Sequence, residues 1–261
     1  MLLRPYPQFA SFNMMDRNEG QIWYNSLQVT VDKRYSHGLN MLVTYALSKN
    51  IEALSYLNGQ DAAPTRTLTA WDTPHRLTIA PIYELPFGPG RALFNTRHNL
   101  WSRLAAGWQT VLTSTFKTGT PMSIPGDVYL LGDPRLENPT WDRLFKTGVI
   151  DVNGTVRNVL PGESPVFQVR PPFTLRTTPL RYGNLRNQWG RSFDISLLKS
   201  VRINERVKTQ FRVEAFNAFN TPIFSANPNL TPTSVNFGKI FRDNGQSNGQ
   251  RIVQLGFRLE Y

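Results

Sequence analysis

From Trp23 onward the chain alternates. Trp23, Asn25, Leu27, Val29 and Val31 fall on one side of an extended backbone, and Tyr24, Ser26, Gln28, Thr30 and Asp32 on the other. Successive side chains of a strand point to opposite faces, so a period of two with one apolar set predicts a β-strand. After Ser36-His37-Gly38 the pattern returns, with Leu39, Met41, Val43, Tyr45 and Leu47 set against Asn40, Leu42, Thr44, Ala46 and Ser48, which predicts a hairpin. His75 to Pro86 places Leu77, Ile79, Tyr83 and Leu85 together. Pro81 inside that run has no N–H for the ladder, so a bulge or a locally unpaired position is expected there. Trp108, Thr110, Leu112, Ser114 and Phe116 alternate with Gln109, Val111, Thr113, Thr115 and Lys117. Near the end, Phe193, Ile195, Leu197 and Val201 oppose Ser192, Asp194, Ser196 and Ser200, and Val207, Phe211 and Val213 oppose Lys208, Gln210, Arg212 and Glu214. The last stretch, RIVQLGFRLEY from Arg251 to Tyr261, puts Val253, Leu255, Phe257, Leu259 and Tyr261 on one side up to the final residue. With a first strand near Phe9 to Asp16, the pattern predicts about eight strands, most of them 10 to 14 residues long.

The connections carry as much information as the strands. They run short near His37, long over 50–73, intermediate over 87–106, very long over 120–188, short over 202–205 and long over 220–250. NLWSRLAAG, from Asn99 to Gly107, reads as a short helix or an irregular turn, and 120–188 as an extended loop with at most scraps of strand such as Val166 to Val169. A structureless stretch of that size argues against an ordinary compact domain but is normal for a surface loop of a barrel. Membrane β-barrels sort short turns to one side and long loops to the other, with strands alternating apolar-out and polar-in, whereas a soluble sandwich has no such reason. Soluble strands run to about 5 or 6 residues and tilted membrane strands to about 9–11, which favours the membrane class. Trp23, Tyr45, Tyr83, Trp108 and Phe116 fall on the apolar sets, as expected of an interfacial girdle where rings sit between hydrocarbon and water. The expected fold is therefore all-β: an antiparallel transmembrane β-barrel segment of about eight long strands spanning 1–261, with 120–188 as a long extracellular loop within it.

Charge refines this picture. The formal net charge is +11 and the isoelectric point near 10.2, yet the 29 Lys and Arg are scattered with no run of four. Such a charge would suit nucleic acid or an anionic membrane surface such as phosphorylated lipid, but nucleic-acid binding leaves a clustered patch or a named module, so no nucleic acid is expected as partner. Cysteine is absent, which removes disulfides, thiolate zinc sites and thiol nucleophiles. No segment reaches the roughly 18 to 20 apolar residues of a spanning helix, the nearest being Leu104 to Phe116. MLLRPYPQF lacks the apolar core of a secretion signal, so an export signal is expected outside this chain.

Candidate chemistry is sparse. Asp72 and His75 in WDTPHR invite comparison with a metal or acid-base pair, but the three histidines have no ligand spacing, and a loop-to-strand junction set by Pro74 explains them. FGPGRA lacks the strand-to-helix context of a phosphate loop and reads as a turn, and no nucleophile elbow occurs. No metal, no cofactor and no catalysis are expected. Lys208, Arg212 and Glu214 share the polar set of their strand, which places them in a barrel lumen with a structural, pairing role. Asn217 and Asn220 are expected to organise the step from strand to loop.

Several stretches together resemble the barrel portion of TonB-dependent outer-membrane receptors, particularly the Oar-like group. They are LLRPYPQF, YNSLQVTVDKRYSHGLNMLVTYALSKN, WDTPHRLTIAPIYELPFGPGR, GWQTVLTSTFKTGTPMSI and RSFDISLLKSVRINERVKTQFRVEAFNAFNTP, followed by the closing strand. The resemblance implies a 22-stranded barrel with a plug, importing a ligand with energy from TonB. It implies a place in the outer membrane of a Gram-negative-type bacterium, and partners in outer-membrane lipid and lipopolysaccharide, the barrel-assembly machinery, the rest of the barrel and plug, TonB through that plug, and an unnamed ligand. About eight strands without a recognisable plug make the chain look like the C-terminal third of such a receptor. Val253, Leu255, Phe257, Leu259 and Tyr261 then combine a lipid-facing strip with the C-terminal assembly signal. Two alternatives stand beside it. One is a self-closed eight-stranded barrel serving as adhesin or anchor, in which Phe9 to Asp16 would pair with Arg251 to Tyr261; the other is a soluble basic β-protein binding nucleic acid.

Overall fold

A computed structural model describes residues 18–95, 105–123, 125–223, 228–240 and 248–261. Its strands are β1 (Gln21–Ser36), β2 (Leu39–Ala53), β3 (Thr67–Leu68), β4 (His75–Glu84), β5 (Trp108–Lys117), β6 (Pro121–Ser123), β7 (Val128–Leu130), β8 (Val149–Ile150), β9 (Val156–Arg157), β10 (Phe167–Val169), β11 (Arg181–Arg186), β12 (Gly190–Arg202), β13 (Lys208–Phe216) and β14 (Ile252–Glu260). The strand expected near Phe9 to Asp16 lies outside the described residues, as does most of NLWSRLAAG.

An eight-stranded antiparallel sheet dominates, in the order β1-β2-β4-β5-β12-β13-β14, with the short β3 on β2. Every neighbour on that path follows its predecessor in the chain among the long strands, so the sheet is a meander. Among the described residues it is open, with β1 and β14 at its two edges. β1 and β2 reach 16 and 15 residues, and the other long strands 9 to 13.

Register keeps the two sets of side chains apart across the whole sheet. Val29 faces Tyr45, Tyr45 faces Leu77 and Leu77 faces Phe116; further along, Leu112 faces Ile195, Leu197 faces Val213 and Val213 faces Leu255. Directly opposed residues share a face, so the apolar sets of all seven long strands merge into one continuous apolar side. The polar sets merge on the other: Thr30 with Thr44, Thr44 with Thr78, Thr78 with Thr115, and Ser196 with Glu214 and Glu214 with Gln254. On the apolar side the basic residues fall near the strand ends, Lys33 and Lys199 at one end and Lys49 and Arg191 at the other.

Two local devices hold the register. His37 and Gly38 both have positive φ, 53° and 81°, the pair of angles that a two-residue turn matched to strand twist requires. A Cβ on Gly38 would sit 2.9 Å from the Glu84 carbonyl oxygen, so glycine is also needed for space. Pro81 pairs with Met41 on β2, but the β4–β5 ladder skips Ala80 and Pro81 and resumes at Ile82↔Val111 without a shift. The position is locally unpaired, and no bulge forms.

Because the sheet is a meander, connections alternate between its ends. Residues 37–38, 85–107 and 203–207 leave from one end, and 54–74, 118–189 and 217–251 from the other. Among these, the two tight turns share the first end. In one of them the Asn204 side chain accepts from the N–H groups of Arg206 and Val207 at 2.9 and 2.7 Å, an Asx-type turn.

The stretch expected to be a structureless loop, 120–188, is folded instead. β7, β10, β8 and β9 form a four-stranded sheet and β6 pairs with β11. Met122, Val128, Phe145, Val149, Val166, Phe167 and Leu185 pack together with Phe237, which comes from the next long connection. The strands here are two to six residues long, too short for a period of two to be read, and single buried aromatics do their packing.

Candidate functional site

The long-connection end of the sheet and the polar side beneath it are where the groups with chemistry collect. The polar side is built by strand alternation alone. Glu214 lies between neighbours on both flanking strands: Ser196 Oγ donates to it at 3.5 Å and Gln254 Nε2 at 2.5 Å, while Arg212 Nη1 stands 3.5 Å away on its own strand. Arg212 also donates to Gln210 Oε1 at 3.3 Å. Lys208 opens β13 opposite Glu260, at the short-turn end. The three share one face of β13, and the side-chain contacts of Arg212 and Glu214 run along and across the strands.

The aromatic residues divide between the ends. Trp23, paired with Ile51, sits near the long-connection end with the Arg66 guanidinium 4.4 Å above its ring. Tyr83 and Trp108 lie at the short-turn end, where Lys199 Nζ is 5.4 Å from the Trp108 ring centroid. Tyr45 and Phe116 share a row through Leu77; the Tyr45 hydroxyl meets His75 Nδ1 at 2.8 Å, and Phe116 meets Phe193 edge-on at 5.4 Å. Val253, Leu255, Phe257 and Leu259 line the apolar face of β14, with Phe257 5.0 Å from Phe211, and Tyr261 follows at the short-turn end.

Two buried ion pairs tie the folded connection to the sheet. Arg186 Nη2 donates to Asp72 Oδ2 at 2.7 Å, and Arg181 Nη1 to Glu52 Oε1 at 2.5 Å. Asp72 is 1% exposed and also accepts from the Asn50 N–H at 2.8 Å, while Arg186 donates to the Asp72 and Gly119 carbonyls at 3.0 and 3.1 Å. The reading of Asp72 and His75 as a strand junction holds for His75, which opens β4. For Asp72 it is incomplete, since the carboxylate is a buried anchor. Arg181, Arg186 and Glu52 escaped sequence reasoning altogether: the partners lie 114 and 129 residues apart, and only the two arginines spaced five apart in RYGNLR hint at a shared task.

The connection beyond β13 is held by amides, as expected. Asn217, at φ 48°, takes its N–H to Asp194 Oδ1 at 2.9 Å, gives Nδ2 to the Gly249 carbonyl at 2.9 Å and accepts the Thr221 N–H at 3.0 Å. Asn220 Oδ1 accepts the Arg251 N–H at 3.2 Å, which delivers the chain into β14.

Within the folded connection Arg143 grips Glu163 through two hydrogen bonds. Those bonds hold the Glu163 carboxyl below its ordinary value of 4.5, against the opposing effect of burial. A depressed folded-state value means the pair's contribution is complete above about pH 4.5 and is lost as pH falls through the folded-state value. Protease digestion across pH 7 to 3 is therefore expected to open the segment around Arg143 and Glu163 only at the acid end, and Glu163→Gln to flatten that dependence.

Two clefts open at this end. One, of about 740 Å³, lies between the upper parts of β1 and β2 and the Asp72–Arg186 pair; the other, of about 610 Å³, lies between residues 135–144 and 184–191. Among the described residues no group of three His, Asp or Glu is placed to hold a metal ion, and no helix is long and apolar enough to cross a membrane.

Against this geometry, a family model described as an outer membrane beta barrel domain matches residues 1–254. Comparisons with curated proteins and with solved structures found no match.

Proposed function

From the premise that the chain belongs to the outer membrane β-barrel domain family, and so to the Gram-negative outer membrane, we propose that it is barrel wall of a TonB-dependent receptor of the Oar-like kind. In this reading it binds and imports a ligand rather than catalysing a reaction. The observation that carries the proposal is the sorting of connections: the two longest, 118–189 and 217–251, leave from one end of the sheet and fold together around Phe145, Phe167 and Phe237, while both tight turns lie at the other. A folded cap on the loop side is what a receptor needs to select a ligand, because binding groups need a rigid support. The polar side, with Lys208, Arg212 and Glu214, faces the lumen and a plug; the edges β1 and β14 pair with further strands of a larger barrel, 22 in the full receptor. β14 and Tyr261 present the signal read by the assembly machinery. Lipid and lipopolysaccharide cover the apolar side.

The uptake claim is tested in the native host by comparing solutes removed from the medium with and without the gene, in TonB-competent and TonB-deficient cells. A solute whose removal needs both the gene and TonB is expected; removal that ignores TonB would contradict the import reading.

The membrane side of the reading has its own test. Leu255 is 80% exposed on the apolar face near the middle of β14, so little of its side chain is covered by the described residues. Leu255→Arg is expected to lower stability in lipid vesicles by about 2–4 kcal/mol, read from urea-unfolding midpoints, with Gln254→Arg on the polar side near neutral. Equal effects from the two would sink the assignment of faces.

A further inference from the structure

The smaller cleft, of about 610 Å³, is lined by three arginines and two tryptophans, and no carboxylate is among its lining residues. Its position relative to the apolar side decides what it suits. The β5–β12 pairing runs without a shift from Arg191↔Phe116 through the Asn187 N–H on the Thr120 carbonyl to Arg186↔Pro121. Arg191 thus stands on the same face as Phe193, Ile195 and Leu197, at the upper end of the apolar strip, and Trp189, just before β12, lines the cleft beside it. Trp189 is 62% exposed. Arg191 is exposed and makes no ion pair or hydrogen bond among the described residues, whereas Arg186 is held by Asp72. Across the cleft stand Trp141 and Arg135, whose pair with Asp133 is open to solvent on both sides.

An unpaired guanidinium above an apolar strip, with indole rings beside it and amides such as Gln188 and Asn184 in the wall, is a composition with few uses. Guanidinium groups match phosphate oxygens, indoles stack on sugar faces, and amides take hydroxyls. We propose that this cleft binds the phosphorylated-sugar headgroup of an outer-leaflet lipid, with Arg191 and Arg135 on phosphate and Trp189 against the sugar, and with the acyl chains running down past Phe116 and Phe193. The proposal rests on the apolar side facing lipid, and is independent of ligand import. A soluble acidic glycan would satisfy the arginines but leave the strip beneath them without a role, which is why the lipid is the occupant inferred.

The test is isothermal titration of the full chain in detergent with four probes: diphosphoryl lipid A, its phosphate-free analogue, phosphatidylglycerol and water-soluble glucosamine 1-phosphate. Diphosphoryl lipid A is expected to bind saturably, with the other three at least about tenfold weaker. Arg191→Gln and Trp189→Ala, both at exposed positions, are each expected to weaken it about tenfold, the scale of one charge-assisted hydrogen bond for the arginine and of one aromatic stacking contact for the tryptophan. Arg206→Gln, in the turn at the opposite end, is expected to leave it unchanged. Equal binding of phosphatidylglycerol, equal binding of the soluble sugar phosphate, or indifference to Arg191→Gln would each overturn the proposal.

Discussion

Asp72→Ala is expected to cost about 3–5 kcal/mol, the usual penalty for removing one partner of a buried ion pair and leaving the other charged. Asp72 is almost fully buried, and Arg186 has only 18% of its side chain exposed, so little water can replace the lost carboxylate. The Asn50 N–H on β2 loses its acceptor in the same step. Both effects fall where β6 and β11 meet the sheet, so the folded connection should come loose before the sheet itself unfolds. Limited proteolysis should cut the 118–189 segment faster while the β12–β13 hairpin stays protected. Arg186→Met added to Asp72→Ala should recover part of the loss, because no uncompensated charge then remains. A single-variant cost below about 1 kcal/mol would show that the pair is not an anchor.

The second large effect is expected at Phe145. Its ring is 2% exposed and meets Phe237 and Phe167 edge-on at 5.2 and 6.0 Å, with those two 5.4 Å from each other. Phe145→Ala removes one member of this triad, and large aromatic truncations in closed cores cost about 3–5 kcal/mol. Phe237 belongs to a different connection, so the damage should cross between them. Backbone links make the same prediction, since the Ile240 N–H donates to the Trp141 carbonyl at 2.8 Å and the Leu144 N–H to that of Gly238 at 3.1 Å. Hydrogen exchange should quicken together in 140–170 and 229–240. Exchange that quickens in 140–170 alone would mean that the two connections fold separately.

The long strands were legible because a period of two with one apolar set leaves a mark that survives without any knowledge of neighbours. Leu27, Tyr45, Leu77, Phe116, Leu197, Val213 and Leu255 could be placed on one face from their own strands alone, and the register then joined them. Pro81 was legible for a chemical reason, its missing N–H, and the gap in the ladder appears at that point. The cap was not legible. β8 and β9 have two residues each, and β8 pairs in parallel with β10 across the intervening loop, so no local pattern could announce them. Phe145 and Phe237 look in sequence like isolated aromatics in polar surroundings, while Phe167 falls in the Val166 to Val169 scrap of strand that returns as β10, its partners unannounced. The anchors failed for a similar reason: a carboxylate and a guanidinium more than a hundred residues apart carry no signal of pairing until the chain has brought β11 against the top of β2.

The claim on which the rest depends is that the apolar side of the sheet faces lipid and the polar side does not. The chain contains no cysteine, so single cysteines can be placed along β14 without background and labelled with a fluorophore in lipid vesicles. Labels at 253, 255, 257 and 259 are expected to be quenched by brominated acyl chains and shielded from an aqueous quencher, and labels at 254, 258 and 260 to escape the brominated chains. Quenching without alternation, or with the two sets exchanged, would contradict the account.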